Sequence, residues 1–465
     1  MRARFISIVL AAGLTQAPPQ TSSELPGRIA ALVKQLQAKV APAATATTRV
    51  STAAELVAAV KAGGAIEVSP GAYVVNLVLA APVTLRGPSD VVLVPADPLS
   101  PTVLVTGNDI SVTGLTIQSG APGREAVVVG SLRATSADVQ PHRVRFTQVA
   151  VTAKAGGHRG FALHGVDITL ERVTVTGFYE KGRDSQAVWI CNGPGPYSII
   201  DSVLEASGEN ILVGGADPGI VGMNPANIKI LGNLLRKPDT YKGLGTVKNS
   251  FELKTGLHVL FEGNTIDGNW ADGQAGSPIV LTVRNQDGDC TWCQVDDVII
   301  RGNTVRRAPQ GFSVNILGSD NDHPSGQTQT ILIDHNLFVD ATNGIQVGNG
   351  VATGLTVTHN TWPAITGKAL SFDQSMAPRV ITPLTFARNV LRSGSYGITG
   401  DGTTVIGLPS LLAFCTVTEF TGNVIERTAE RTIAWPAGNT LIAPGGLTAL
   451  VDPKTSKLLS GTAGY

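Results

Sequence analysis

The sequence predicts an all-β solenoid, a stack of coils built from short strands joined by sharp corners. Three observations carry that prediction. Between Asn233 and Asn423 the chain repeats one phrase seven times: a short apolar strand, a small or polar residue, an Asn, then a second strand. The instances are ILGN at Asn233, FEGN at Asn264, IRGN at Asn303, IDHN at Asn336, VTHN at Asn360, FARN at Asn389 and FTGN at Asn423. Their gaps are 31, 39, 33, 24, 29 and 34 residues, so the period has a floor and tolerates insertions. Stacked coils behave this way, because surplus residues leave each coil as loops. Second, hydrophobic residues make up 43% of the chain and charged residues only 15%, well under the usual quarter. The apolar residues of the repeats are mostly Val, Ile and Leu, which suit parallel strands buried between ladder neighbours. Third, 53 of 465 residues are Gly, which supplies the positive φ values that tight corners need.

Each segment then takes a place. Arg2 and Arg4 precede an apolar run over residues 5–14, with Thr15-Gln16-Ala17 as the cleavage site, so residues 1–17 read as an export signal. Ten apolar residues are too few to span a bilayer, and no other segment is long enough. Residues 18–50 are rich in Pro, Ala, Thr and Ser around a helical stretch over 29–40, and read as a linker with a loose helix. Thr52-Ala53-Ala54-Glu55 is a capping box, followed by the helical stripe Leu56, Val57, Ala59 and Val60 and a stop at Gly63-Gly64. A short amphipathic helix here caps the first coil and blocks edge pairing. Strands follow over 65–73 and 83–87, and the Asn slot continues upstream as Leu115, Val149, Val173 and Ser202. One Asn per coil lets each side-chain amide bond the next along the axis. The solenoid is expected over 51–427, with 428–465 closing the far end.

These residues also carry a resemblance. The strand-Gly-Asn-strand phrase, the capping helix and the opening IEVSPGAY resemble the right-handed parallel β-helix superfamily, which includes pectate lyases and related polysaccharide enzymes. The resemblance covers residues 51–427 and implies about a dozen coils of three strands each. LEASGENILVGGADP, NSFELK, LTVRNQDG and SGQTQTILIDHNLF resemble a narrower group of secreted bacterial β-helix repeat proteins without an assigned activity. The signatures of the enzymatic families are mostly missing. No Asn-Thr-Asp, Asp-Asp and Gly-His-Gly set is present, as polygalacturonases have. AVWICN is similar to the VWIDH of pectate lyases, but Cys191 stands where an Asp belongs, against a pectate-lyase calcium site. Fold alone does not assign a reaction.

The resemblance places the Asn between the second and third strands of each coil, and sites in polysaccharide-active members on the strand before the second. Alternation along those strands assigns Phe251, Leu253, Leu281, Val283, Val314 and Phe372 inward. It assigns Asn210, Glu252, Lys254, Thr282, Arg284, Asn315 and Gln346 outward. Coils stack about 4.8 Å apart, so Glu252, Lys254, Arg284 and Asn315 fall in one patch. β-Elimination of a uronate polysaccharide needs a cation against the carboxylate and a base for the α-proton. Lys254 or Arg284 can serve as the first, and the other cation or Glu252 as the second. Glu252 and Asp287 are an alternative acid and base for a glycoside hydrolase. The bland alternative is a solvated ion pair worth ~0–1 kcal/mol. A non-catalytic glycan-binding or adhesin-type scaffold is the competing class.

Insertions decorate this face. Residues 267–278 hold Trp270, 285–297 hold Asn285, Gln286, Asp287, Asp289 and Trp292, and 318–329 hold Asp320, Asp322 and His323. Long loops on a rigid scaffold commonly carry function. Trp270 or Trp292 is a candidate platform for a sugar ring; Asn210, Asn285, Gln286, Asn315 and Gln346 are candidate substrate contacts. Asp287, Asp289, Asp320 and Asp322 offer oxygen ligands for calcium, without calcium-loop spacing; no other cofactor is indicated. Cys290-Thr-Trp-Cys293 lacks a following helix and a second pair, so a local disulfide suits it better than zinc or redox chemistry. Cys191 and Cys415 are expected to be buried. Lys plus Arg and Asp plus Glu are equal at 35 each, which leaves no basic excess for nucleic acid. The expected partner is a polysaccharide or surface glycan.

Overall fold

A computed structural model of the chain describes residues 47–447, apart from 349, 351, 374–380 and 404. The export signal, most of the linker and residues 448–465 lie outside the described residues. The strands form three sheets in which every pairing is parallel: two of 14 strands and one of 12. One coil runs Val83–Arg86 in the first sheet, Val91–Val94 in the second, Val103–Val105 in the third, then Ile110–Thr113 back in the first. Every strand therefore pairs with its counterpart one coil away. The chain is a right-handed parallel β-helix, the hand that parallel crossovers take.

Inward residues stack in register along the axis. In the first sheet Val259, Val298, Ile331, Leu355 and Leu384 follow one another coil by coil, each at most 2% exposed. Rings stack the same way: under the second sheet Phe338 lies 4.9 Å from Trp362, and along the first sheet Phe386 lies 4.9 Å from Phe420. The first coil is covered by helix Ala53–Ala62, which buries Leu56, Ala59 and Val60. Its capping box forms as expected: Thr52 Oγ1 accepts the Glu55 N–H at 3.2 Å, and Glu55 Oε2 accepts the Thr52 N–H at 3.1 Å.

Two boundaries differ from expectation. Thr48–Val50 pairs with Gly64–Val68 as the first strand of the solenoid, although it fell in the stretch read as linker. Only Val50 of that strand is buried, so it offers no apolar alternation to detect. At the far end, Thr440–Ile442 adds a strand to the second sheet, so the closing segment begins as another partial coil.

The corner between the first and second sheets is the ladder. All seven repeat Asn are at most 2% exposed. Asn303 Nδ2 donates to Phe261 O at 3.0 Å and to Asn336 Oδ1 at 2.9 Å, while its backbone N–H reaches the same Oδ1 at 3.0 Å. Asn264 gives Asn303 Oδ1 the same two bonds. The pattern begins at Ser202, whose N–H donates to Asn233 Oδ1 at 2.9 Å, and ends at Asn439, which accepts from Asn423. The residue before each Asn is left-handed, with φ between 65° and 69° at Gly232, Gly263, Gly302 and Gly422 and between 53° and 57° at His335, His359 and Arg388.

Asn303→Ala is expected to lower unfolding free energy by about 2–4 kcal/mol, because it strands buried donors and acceptors in two coils. Asn439→Ala, at the half-exposed end of the ladder, should cost well under half of that. Urea unfolding of both variants checks the difference.

Candidate active site on the third sheet

The outer face of the third sheet collects the predicted patch. Phe251, Leu253, Leu281, Val283, Val314 and Phe372 all sit in the core. Their neighbours form an outward column in which Leu212, Glu252, Val280, Asn315, Gln346 and Ser371 stand side by side. Lys254 stands two residues beyond Glu252, and the Arg284 N–H donates to Lys254 O at 2.9 Å. Glu252, Lys254, Arg284 and Asn315 line one cavity of about 320 Å³, together with Asn249, Gln274, Ser277 and Thr282. A larger cavity of about 420 Å³ opens beside the capping helix among Val57, Val60 and Val78, with Lys61 as its one titratable group. Chemistry concentrates in the smaller one.

The floor of this cavity is electrostatically unusual. Glu252 is 2% exposed and Glu209, one coil away, is fully buried. Glu209 Oε2 accepts from Gln186 Nε2 at 2.8 Å, and Lys248 Nζ lies 3.8 Å from its other oxygen. Glu209 Oε1 and Glu252 Oε2 are each buried without a donor. Burial pushes the Glu252 carboxyl up to about 7; Lys254 pulls it down, and Glu209 pushes it up again. Asn249 Oδ1, Thr282 Oγ1 and Asn315 Oδ1 are also buried without a partner in the protein. Groups in that state are costly in a folded chain unless something binds them.

Glu209 and its surroundings were missed by alternation, for a definite reason. The register pairs Arg159 with Gln186 and Gln186 with Glu209, then resumes two residues later at Phe161, Val188 and Ile211. Ala187 and Val188 both face the core, so alternation breaks here and two consecutive residues turn inward, while the offset between coils stays constant. Asn210 occupies that extra inward position and is corrected from a substrate contact to a corner residue. Its Nδ2 donates to Leu204 O at 2.7 Å and Arg236 O at 3.0 Å. Lys237 is buried beside it, with Nζ donating to Ala206 O, Ser207 O, Gly208 O and Asn210 Oδ1 at 2.7–3.1 Å. Burial presses the Lys237 ammonium down to about 7 while Glu209 pulls it back up. This caged cation fixes the corner that presents Glu209.

The loops form a wall beside the cavity. Asp217 accepts the backbone N–H groups of Gln286, Asp287 and Asp289 at 2.7–2.9 Å. Asn285 is fully buried; its Oδ1 accepts from Cys290 N–H and its Nδ2 donates to Pro324 O. Cys290 and Cys293 are disulfide-bonded, as expected. Asp320 accepts the N–H groups of Asn285 and Asp322 at 2.7 and 2.8 Å and lies 3.6 Å from Arg284 Nη1. Burial alone would raise its carboxyl, but these partners hold it below the usual range.

Several expectations change here. Asn285 is structural, and Asp287 and Gln286 are exposed on the wall and do not line the cavity. Glu252 and Asp287, the hydrolase pair, do not both line this cavity, and Asp217 pins the loop that carries Asp287. Trp270 is half-buried under Lys242, whose Nζ lies 5.1 Å from the ring centre, and is likewise outside the cavity lining. Gln346 stands one coil past Asn315, beyond the cavity edge. The aspartates read as calcium ligands do not converge, since Asp320 is committed to backbone N–H groups. Among the described residues, the one gathering of three His, Cys, Asp or Glu ligands is Asp334, His335 and His359, on another corner. Cys191 and Cys415 are buried, with burial pushing the Cys191 thiol up to about 12.

No protein-family model and no curated protein sequence matches the chain. Solved structures are similar in fold. A polysaccharide lyase of the PL6 family from Pseudopedobacter saltans, Pedsa3628, is 12% identical with a TM-score of 0.42, over 88% of this chain and 95% of that one. The tailspike of E. coli bacteriophage HK620, solved with a hexasaccharide, is 13% identical at 0.43, over 86% and 75%. The Streptococcus pneumoniae surface protein and adhesin PfbA is 13% identical at 0.36, over 84% and 96%. Among the described residues no helix is long and apolar enough to cross a membrane.

A carboxyl raised by burial favours folding below its unfolded pKa, and that advantage is lost as pH rises through the folded value. Glu252→Gln should therefore leave stability near pH 4 unchanged and raise it at pH 8, by on the order of 1–3 kcal/mol. Thermal unfolding at both pH values measures this. Equal shifts at both would reject a protonated Glu252.

Proposed function

We propose that the protein is an exported lyase acting on an acidic polysaccharide, with its active site in the cavity of the third sheet. The observation that carries this reading is the convergence of Glu252, Lys254 and Arg284 on one cavity whose buried oxygens lack protein partners. Arg284 is half-buried and backed by Asp320, so its planar fork is held for a carboxylate. A uronate carboxylate placed there loses charge, which acidifies the neighbouring C–H. Glu252, in its ionised form, takes that proton. Its bonding electrons form the carbon–carbon double bond as the glycosidic C–O bond at the β-carbon breaks, and the departing oxygen takes a proton from the Lys254 ammonium. Glu252 suits proton transfer near neutrality because burial brings its carboxyl into that range.

The second reading is a glycan-binding scaffold without turnover. It is favoured by the neutral polar run Asn315, Gln346, Ser371 and Thr399, which continues along the face beyond the cavity.

The test is incubation with a panel of acidic and neutral polysaccharides, following both conjugated double-bond absorbance and new reducing ends. Lys254→Ala and Arg284→Ala should each lower kcat/KM by about 10²–10⁴-fold, while Asp287→Asn leaves it unchanged. Reducing ends without absorbance, abolished by Asp287→Asn, would reinstate a hydrolase. Glycan binding with neither signal would favour the scaffold.

A further inference from the structure

The corner that carries the Asn ladder also holds a cluster unrelated to the cavity. His335 and His359 occupy the same slot in successive coils, each just before a ladder Asn. Both are left-handed, with φ of 53° and 54°, and their rings stack at 4.6 Å with an 18° interplanar angle. Asp334 ends the first-sheet strand Thr328–Asp334 and reaches both: Oδ2 lies 2.8 Å from His335 Nδ1, and Oδ1 lies 3.2 Å from His359 Nδ1. Thr358 Oγ1 donates to the same carboxylate at 2.9 Å and fixes its plane.

We propose that Asp334, His335 and His359 form a surface site for a divalent transition-metal ion, of which zinc is the reference case. Two imidazoles and one carboxylate are a borderline donor set that suits zinc, copper or nickel and not calcium or magnesium. One candidate ligand atom from each residue lies within 4.8 Å of the others. Ligands bound at about 2.0–2.2 Å around a tetrahedral ion stand roughly 3.3–3.5 Å apart. The observed Nδ1–carboxylate spacings of 2.8 and 3.2 Å therefore need to open by a few tenths of an ångström. The ion takes the place of the Nδ1 contacts to the carboxylate, and each neutral imidazole carries its proton on Nε2.

Three features make the site available. The His335 and His359 side chains are 47% and 35% exposed, which leaves water access for the remaining coordination positions. Asp334 faces both imidazoles with different oxygens, and Thr358 Oγ1 donates to the same carboxylate, so the acceptor is already aimed at the two rings. Nearby guanidiniums are engaged elsewhere: Arg301 pairs with Glu262 at 2.8 Å and Arg388 with Glu419 at 3.5 Å. An ion here ties two coils together across their ladder corner.

The experiment is isothermal titration of Zn²⁺ into the full chain, free of any metal-binding tag and pre-treated with chelator. One ion per chain is expected, with a matching rise in thermal midpoint. His335→Gly and His359→Gly suit the test because Gly fills the same slot at 232, 263, 302 and 422, so the corner still folds. Each should weaken Zn²⁺ by roughly tenfold or more, at least what loss of an outer-shell partner costs. His258→Ala, which breaks an otherwise similar His258–Asp297 pair at 2.7 Å, should bind like the parent. No Zn²⁺ uptake by the parent chain, or undiminished uptake by the double Gly variant, would overturn the site.

Discussion

The buried amide ladder is the constraint on which the rest of this molecule depends. Each Asn satisfies a backbone carbonyl of the preceding coil and accepts both the backbone and side-chain N–H of its neighbour, as Asn264, Asn303 and Asn336 show. A corner without this arrangement would bury unpaired backbone groups at every coil. Because the bonds run from one coil to the next, they also fix the axial register. That register aligns Glu252 with Val280 and Asn315, and it stacks His335 on His359. The two candidate sites are thus by-products of the same stacking, one on the third sheet and one on the ladder corner.

The cavity combines a rigid floor with a braced wall. Its floor consists of strand residues locked by parallel pairing. Its wall consists of loops whose backbone amides are gathered by Asp217 and Asp320 and closed by the Cys290–Cys293 disulfide. Lys237 performs a related task below, where its ammonium gathers three carbonyls at the corner before Glu209. The wall loops carry charge in abundance, yet much of it is directed to holding backbone. Acidic loop residues that look like ligands in the sequence are here fasteners.

What was legible in advance follows the range of the interactions involved. The repeating phrase, the capping box and the period-two alternation are local, and each was visible as a pattern of neighbouring residues. Glu252, Lys254 and Arg284 were legible for the same reason: they lie on regular strands where alternation holds. Asn439 was harder to see as a ladder member because it follows Asn423 by only 16 residues, too short a gap for a full coil. Asn210 turned inward and Glu209 joined the site because alternation breaks by one residue here, and nothing in GENILV announces it.

By itself, then, the sequence determined the coil, its corner chemistry and which strand face would carry charge, since these rest on contacts repeated at a regular period. Only the tertiary structure decided which charges meet. Asp287 sits on a loop pinned to Asp217, 70 residues away in the chain, and does not join Glu252 in the cavity lining. Glu209 was brought to Glu252 by pairing of strands 209–213 and 251–253. Asp334 was brought to His359 by pairing with the next coil. Electrostatic interactions of this kind depend on distances of a few ångströms and on burial, and neither is encoded by any one stretch of residues.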